Sequence, residues 1–426
     1  MPQNFYKIMS TRGFVEWCSH PEELGQKMER EIVTGYVGFD PSADSLHVGN
    51  MVPIMGLAWL QRLGHRPVAL AGGGTGLIGD PSGKTKERQL LTREHVAYNV
   101  ECIKGQLAKF LDFDCGANSA IMVNNHDWLS EISFIEFLRD TGKYFPVNTL
   151  INREYVRSRI EDPDKSITYT ELSYILMQAY DFDHMYRHLG CTLQMGGNDQ
   201  QGNIIGGIDL IRKRSEGQGY GITFSLLLAA SGEKFGKSEE GAVYLDPRKT
   251  SPYKFYQFWI NTDDRDIERL YRIYSYASLD DIAGVISSHL DRPEGRGAQK
   301  GIAWEMTVRV HGADTAKRVK EASEVLFGER DVKSADAALL DTLAAEIPTS
   351  DIASPLPLSL PDGLVASGGV SSKGEARRKI KEGGVYVNGE RVREENAAIT
   401  SDNLLPGGYV QLRVGKKDFR LIRFNR

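Results

Sequence analysis

Cysteine is scarce. Cys18, Cys102, Cys115 and Cys191 are the only four in 426 residues, they are scattered, and no C-x-x-C pair is present. That excludes a disulfide framework and a cysteine zinc site, and it suits free thiols in a reducing cytoplasm. No apolar run approaches the roughly 20 residues that cross a bilayer. The opening MPQNFYKIMSTRGFVEWC lacks a sustained apolar core before a small-residue cleavage site, so no signal peptide is expected. No internal repeat or low-complexity tract occurs. The rest is ordinary for a soluble globular protein, with 41% hydrophobic and 26% charged residues. The length suits about three domains.

A net charge of -5 excludes uniform coating of nucleic acid, but the charge is uneven. From Asp362 onward the chain carries 13 Lys and Arg against 8 Asp and Glu, so a basic tail follows an acidic body. Such a tail is a candidate attachment for nucleic acid.

Residues 34–40, TGYVGFD, form a predicted buried strand, and MVPIMGLAWLQRL a predicted helix stopped by Gly64 and Pro67. PVALAGG (67–73), AIMVNN (120–125) and TLQMGG (192–197) are further predicted strands. Strand, helix, strand is the unit of a parallel sheet with crossover helices. Beyond Asp263 the pattern is helical. Pro348, Pro355, Pro357 and Pro361 mark a predicted linker. A basic helix, SSKGEARRKIKEG, and alternating strands in GVYVNGERV close the chain.

The stretch AGGGTGLIGDPSGKT (71–85) carries fragments of two nucleotide motifs. The P-loop needs four residues between its glycines; that position holds Ile78, and Gly79 comes one residue late. The dinucleotide fingerprint needs its last glycine in the opening of a helix, whereas Asp80-Pro81-Ser82-Gly83 favours turns. What remains is a glycine-rich turn at a strand's carboxyl end, where open parallel sheets bind ligands. Lys84, Lys86 and Arg88 follow it and suit a phosphate.

Two other stretches carry chemistry. His47-Val48-Gly49-Asn50 opens the first helix, where a histidine can meet a phosphate beside free backbone N–H groups. Lys234-Phe235-Gly236-Lys237-Ser238 places two lysines that can neutralise charge developing on a polyphosphate. Tyr174, Gln178 and Asp181 fall on one helical face, which without other motifs is as readily a solvent-facing stripe. His184 and His188 have a spacing zinc can use, but no third ligand is evident, so they are read as helix-surface histidines. No metal site is expected.

HVGN resembles the HIGH motif and KFGKS the KMSKS motif of class I aminoacyl-tRNA synthetases. YVGFDPSADSLHVGN, GTGLIGDPSGK, NNHDW, SYILMQAYDF, GGNDQQGN and KFGKSEEGAVYLDPRKTSPYKFYQFWIN extend the resemblance, in order along the chain, to the tyrosyl-tRNA synthetases of bacterial or organellar type. The resemblance implies an α/β fold: a Rossmann-like parallel-sheet catalytic domain (1–250), a helical anticodon-binding domain (251–347), a linker (348–361) and a small α+β, S-four-like RNA-binding domain (362–426). It also implies site roles. Tyr36 and Asp181 would bind the substrate phenol, Tyr174, Gln178 and Asp80 its amino group, and Gln200 its carboxylate region. Gly38, Asp40, Ser42, His47, Gly49 and Asn50 would line the ATP site. Lys84, Arg88, Lys234, Lys237 and Ser238 would grip the leaving pyrophosphate.

The partners implied are tyrosine, ATP with Mg2+, and tRNA(Tyr), bound by a homodimer in the cytoplasm without membrane attachment. Three positions depart from the family pattern: Asn50 for the last histidine of HIGH, Val37 where many relatives have cysteine, and Gln201 where many have tryptophan. The alternatives are a tryptophanyl-tRNA synthetase, against which Tyr36 and Asp181 argue, and a synthetase-derived RNA-binding splicing protein, against which the intact HVGN and KFGKS argue.

Overall fold

The computed structural model describes residues 2–80, 91–162, 164–232, 234–238, 241–327, 329–415 and 418–424. The chain divides into two compact units, one of Met1–Ser251 with Phe258–Val310, the other of Pro252–Gln257 with His311–Arg426.

The first unit is built on a six-stranded sheet of β1 (Val15–Cys18), β2 (Thr34–Phe39), β3 (Arg66–Ala71), β4 (Ile121–Asn124), β5 (Cys191–Gly197) and β6 (Tyr220–Phe224), in the order β1-β6-β5-β2-β3-β4. All pairings are parallel except that of β1 with β6. The sequence pattern marks β2 and β3, whose runs are mostly apolar and buried, as strands covered on both faces are, and it also marks the half-buried edge strand β4 and the mixed run of β5. β1 was not expected, since its four residues are mostly half-exposed. β6 also escaped the reading, although it is wholly buried.

Two helices flank the site. Met51–Arg62 is buried almost throughout, which its apolar run foretells. Tyr169–Leu189 starts at a capping box in which Thr168 and Glu171 satisfy each other's backbone N–H groups, and it ends at Gly190 in the left-handed conformation. Residues 258–310, grouped from the sequence with a separate helical domain, lie in the same unit as the sheet. Arg12 helps to explain this. Its guanidinium donates to the carbonyls of Arg272, Ser275 and Ala277 at 2.7, 2.7 and 2.9 Å, where the Ile267–Tyr274 helix ends.

The second unit holds a five-stranded sheet ordered β12-β11-β14-β15-β9, from β9 (Thr349–Ile352), β11 (Val385–Val387), β12 (Glu390–Val392), β14 (Tyr409–Val414) and β15 (Asp418–Phe424). The expected basic helix is Lys373–Lys381, capped by Ser372. The predicted linker 348–361 is not free of regular structure. Thr349–Ile352 pairs with β15, and β10 (Leu358–Ser359) pairs with β13 (Ala398–Ile399). The prolines sit outside those paired residues, so they interrupt the strands without preventing them.

Candidate active site at the carboxyl ends of the strands

β2 is flanked by β3 on one side and β5 on the other, so the strand order reverses beside it. Open α/β sheets bind ligands at such a switch, beyond the strands' carboxyl ends. Tyr36 lies on β2, in register with Val68 and Gln194. Its ring packs 5.4 Å from Phe182. Its hydroxyl is buried and has no hydrogen-bond partner among the described residues. Burial, reinforced by the Asp181 charge, pushes its phenol well above the ordinary range.

Asp181 comes from the Tyr169–Leu189 helix and is 1% exposed. Its carboxylate accepts from Asn125 Nδ2 at 2.8 Å and Trp128 Nε1 at 2.7 Å. Burial raises its carboxyl to about 7; those two donors pull it down, and nearby Asp40 pushes it up. Trp128 is backed by His184, stacked at 4.5 Å with a 17° interplanar angle. His184 is therefore not a plain surface histidine, and burial lowers its imidazole to about 4.

The face of Tyr174, Gln178 and Asp181 points inward, since Tyr174 and Asp181 are buried. Tyr174 Oη donates to Asp40 Oδ1 at 3.2 Å, and burial with the charges of Asp40, Asp80 and Asp181 raises its phenol. Gln178 Nε2 donates to Gln200 Oε1 at 3.1 Å, and Gln200 Nε2 to Asp80 Oδ2 at 2.8 Å. Asn203 Nδ2 completes the network by donating to Gln178 Oε1 at 2.9 Å. Asp40 and Asp80, beside the amide dipoles of Gln178 and Gln200, place negative charge that suits an ammonium group.

Phosphate-handling residues would lie on the adjoining stretches. His47 precedes a short 3-10 turn, and Asn50 Oδ1 accepts from the His47 N–H at 3.0 Å. Asn50 thus shapes the turn, a local use for the amide that stands in the motif's last position. Gly38 and Ser42 are exposed, Asp40, Gly49 and Asn50 half-buried. The lysine-bearing stretch joins this segment through backbone: Val48 N–H donates to Val243 at 2.8 Å, Leu245 N–H to Leu46 at 2.9 Å, and Val243 N–H to Gly236 at 3.0 Å. Lys234 is exposed. Lys237 and Ser238 form β7, paired with β8 (Gly241–Ala242), but their side chains lie outside those described.

Residues 72–79 form a tight turn after β3 with a 3-10 segment at Thr75–Leu77. Gly74 N–H donates to Asn125 Oδ1 at 2.7 Å. Gly79 and Asp80 open no helix, and the next described helix is Arg93–Leu107, so Gly79 does not stand in the opening turn that the dinucleotide fingerprint needs. Lys84 and Arg88 lie outside the described residues.

Sequence reasoning gave no role to Asn125, Trp128, Asn203 or Gln194. The Gln194 Oε1 is buried without a partner among the described residues, on the register neighbour of Tyr36. Polar residues just past β4 were the available signal for Asn125 and Trp128, but only the fold brings them to Asp181, and Asn203 to Gln178.

Comparison with known proteins gives the family. The family described as tRNA synthetases class I (W and Y) matches residues 28–328. A tyrosine–tRNA ligase SYY-like C-terminal domain matches residues 340–422. A tyrosine–tRNA ligase of Anaeromyxobacter dehalogenans is 45% identical over 99% of both chains. Tyrosine–tRNA ligase 2 of Enterococcus faecalis is 45% identical over 100% of both. Among solved structures, a C-terminally truncated mitochondrial tyrosyl-tRNA synthetase of Aspergillus nidulans superposes with a TM-score of 0.69 at 28% identity, covering 76% of this chain and 94% of that one.

Proposed function

Since the chain belongs to the class I tRNA synthetases of the tryptophan and tyrosine group, we infer that it works as a tyrosine–tRNA ligase, activating tyrosine with ATP and charging tRNA. The observation that carries the choice of amino acid is the buried Tyr36 hydroxyl, without a partner among the described residues, beside the doubly anchored Asp181 carboxylate. A tyrosine phenol donates to Asp181 and pairs with Tyr36. Phenylalanine would leave the buried Tyr36 hydroxyl unpaired, at a cost of about 1–3 kcal/mol, and the Asp181 carboxylate with its two protein donors alone.

The chemistry runs in two steps. The tyrosine carboxylate attacks the α-phosphorus of ATP in line, the bond to the bridging oxygen breaks, and pyrophosphate leaves. The ribose hydroxyl at the tRNA terminus then attacks the adenylate carbonyl, and AMP leaves. No side chain acts as a nucleophile; the protein positions reactants and stabilises charge. Asp80, Tyr174 and Gln178 hold the ammonium group, with Asp40, expected on the ATP side, beside it through its hydrogen bond from Tyr174, and Gln200 holds the carboxylate region. Gly38, Ser42, His47, Gly49 and Asn50 line the nucleotide. Lys84, Arg88, Lys234, Lys237 and Ser238 hold the departing pyrophosphate. Magnesium enters with the ATP phosphates, the usual way that ion is held.

Tyrosine-dependent exchange of labelled pyrophosphate into ATP tests this directly. Exchange with tyrosine alone is expected; exchange with tryptophan instead would overturn the roles of Tyr36 and Asp181 while keeping the class. Lys237→Ala is expected to slow exchange about 100-fold, the scale of one lost electrostatic contact in a transition state. Tyrosine binding should stay unchanged, and exchange at the parent rate would remove Lys237 from its role.

The helical residues 251–347 are the part we propose to meet the anticodon, and 362–426 the part that binds RNA. There Tyr386 lies between Arg413 and Arg391, at 3.7 and 5.3 Å, which suits a base and its phosphate. The tRNA would span two subunits of a homodimer. Phe134, Ile135, Val147 and Tyr169 are exposed apolar residues within one segment, and a subunit interface would bury such residues. Light scattering should return twice the chain mass of 47.5 kDa, and Ile135→Glu should return one. A monomeric parent protein would refute the dimer.

A further inference from the structure

Two glycines, one in each signature stretch, meet backbone to backbone. Gly236 has φ +98°, and a β-carbon built on it would fall 2.6 Å from Gly49 N and 3.3 Å from Gly49 Cα. From the other side, a β-carbon on Gly49 would lie 2.8 Å from the His47 ring and 3.5 Å from the Phe235 carbonyl oxygen. No side chain fits between the two segments at this separation.

The contact is held from both sides. Before it, Phe235 is buried with its ring 5.1 Å from Phe258, 5.7 Å from Trp259 and 6.3 Å from Tyr274. The Phe235 N–H donates to Leu227 at 3.0 Å. After it, the Gly236 carbonyl accepts from Val243, whose own carbonyl accepts from Val48. The turn is therefore pinned at Phe235, tied across to the His47 segment, and flanked in sequence by Lys234 and Lys237.

We propose that Gly236 is a positioning residue. Its missing side chain sets how closely the lysine-bearing turn seats on Gly49, and hence where the two lysines stand relative to the ATP phosphates. The inference rests on the reading of these two stretches as the nucleotide-handling part of the site. It adds that the seat itself, and not only the lysine charges, determines the rate of adenylate formation.

The test uses Gly236→Ala beside Gly241→Ala. Gly241 lies in the same hairpin with φ +113°, yet a β-carbon there meets nothing within 4 Å, so it carries backbone strain without a clash. Gly236→Asn is the second variant, because asparagine tolerates positive φ better than alanine while adding the same β-carbon. Both Gly236 variants are expected to lose about 100-fold in the turnover of pyrophosphate exchange relative to Gly241→Ala, the scale on which a misplacement near 1 Å is felt. Tyrosine binding, measured by equilibrium fluorescence, should be unchanged, since none of the residues assigned to it lies in 47–50 or 234–238; that measurement also confirms that each variant is folded. Gly236 variants that exchange as fast as Gly241→Ala would overturn the inference. A parent protein that exchanges no label would overturn the activation reading and this inference with it.

Discussion

Asp181→Asn is expected to lower kcat/KM for tyrosine by about 1,000-fold, near 4 kcal/mol of transition-state stabilisation. Two losses combine. The phenol loses a charged acceptor, and hydrogen bonds to charged groups contribute about 1.5–3 kcal/mol. The amide also replaces one acceptor oxygen with an N–H2 group, although Asn125 Nδ2 and Trp128 Nε1 both donate to this side chain. One of those donors must then go unpaired, at about 1–3 kcal/mol. Pyrophosphate-exchange kinetics measure the effect, and a variant within tenfold of the parent would remove Asp181 from the phenol site.

The same residue predicts a pH dependence. Burial raises the Asp181 carboxyl to about 7. A phenol donates to the ionised form, so tyrosine affinity should rise with pH through about 7 and then level, and the inflection should vanish in Asp181→Asn. The stability effect has the opposite sense. Between about 4, the unfolded value, and about 7, the folded chain holds a proton that the unfolded chain has released. The contribution of this group to stability therefore falls as pH rises across that window. Calorimetric titration follows the first effect and thermal melting the second.

Arg159→Met is expected to destabilise the protein by about 3–5 kcal/mol. Arg159 meets Glu171 through two hydrogen bonds of 2.6 and 3.0 Å, and both side chains are below a tenth exposed. Burial pushes the Glu171 carboxyl up, but Arg159 and Thr168 more than offset it and hold the group below its usual range. Without the arginine the carboxylate remains buried without its cation. At roughly 2–4 °C per kcal/mol for a large domain, the melting midpoint should fall on the order of 10 °C. Glu171 also caps the helix that bears Tyr174, Gln178 and Asp181, so the KM for tyrosine should rise as well. The double variant Arg159→Met/Glu171→Leu removes both charges and should recover much of the loss. Equal midpoints for the single and double variants would show that the unpaired charge is not the cause.

The reading of the sequence reached the site unevenly. β2 and β3 were legible because strands buried on both faces are written as apolar runs, and the short apolar run of β4 was legible although that edge strand is only half-buried. β1, with exposed positions, was not, and the prolines of 348–361 concealed two strands whose partners lie elsewhere in the chain. His184 looked like a surface histidine, because nothing in its neighbourhood along the sequence shows that Trp128 stacks against it.

The sequence by itself determined the strand-helix-strand order, the helical face of Tyr174, Gln178 and Asp181, and the two signature stretches. All of these depend on residue type and spacing within one short segment, where chain geometry is fixed by local periodicity. Only the tertiary structure decided that this face points inward, that Asn125 and Trp128 hold the Asp181 carboxylate, and that Gly236 rests on Gly49. Those facts join residues far apart along the chain, and their proximity follows from the order of strands in the sheet and the packing of helices on it, which no local pattern encodes.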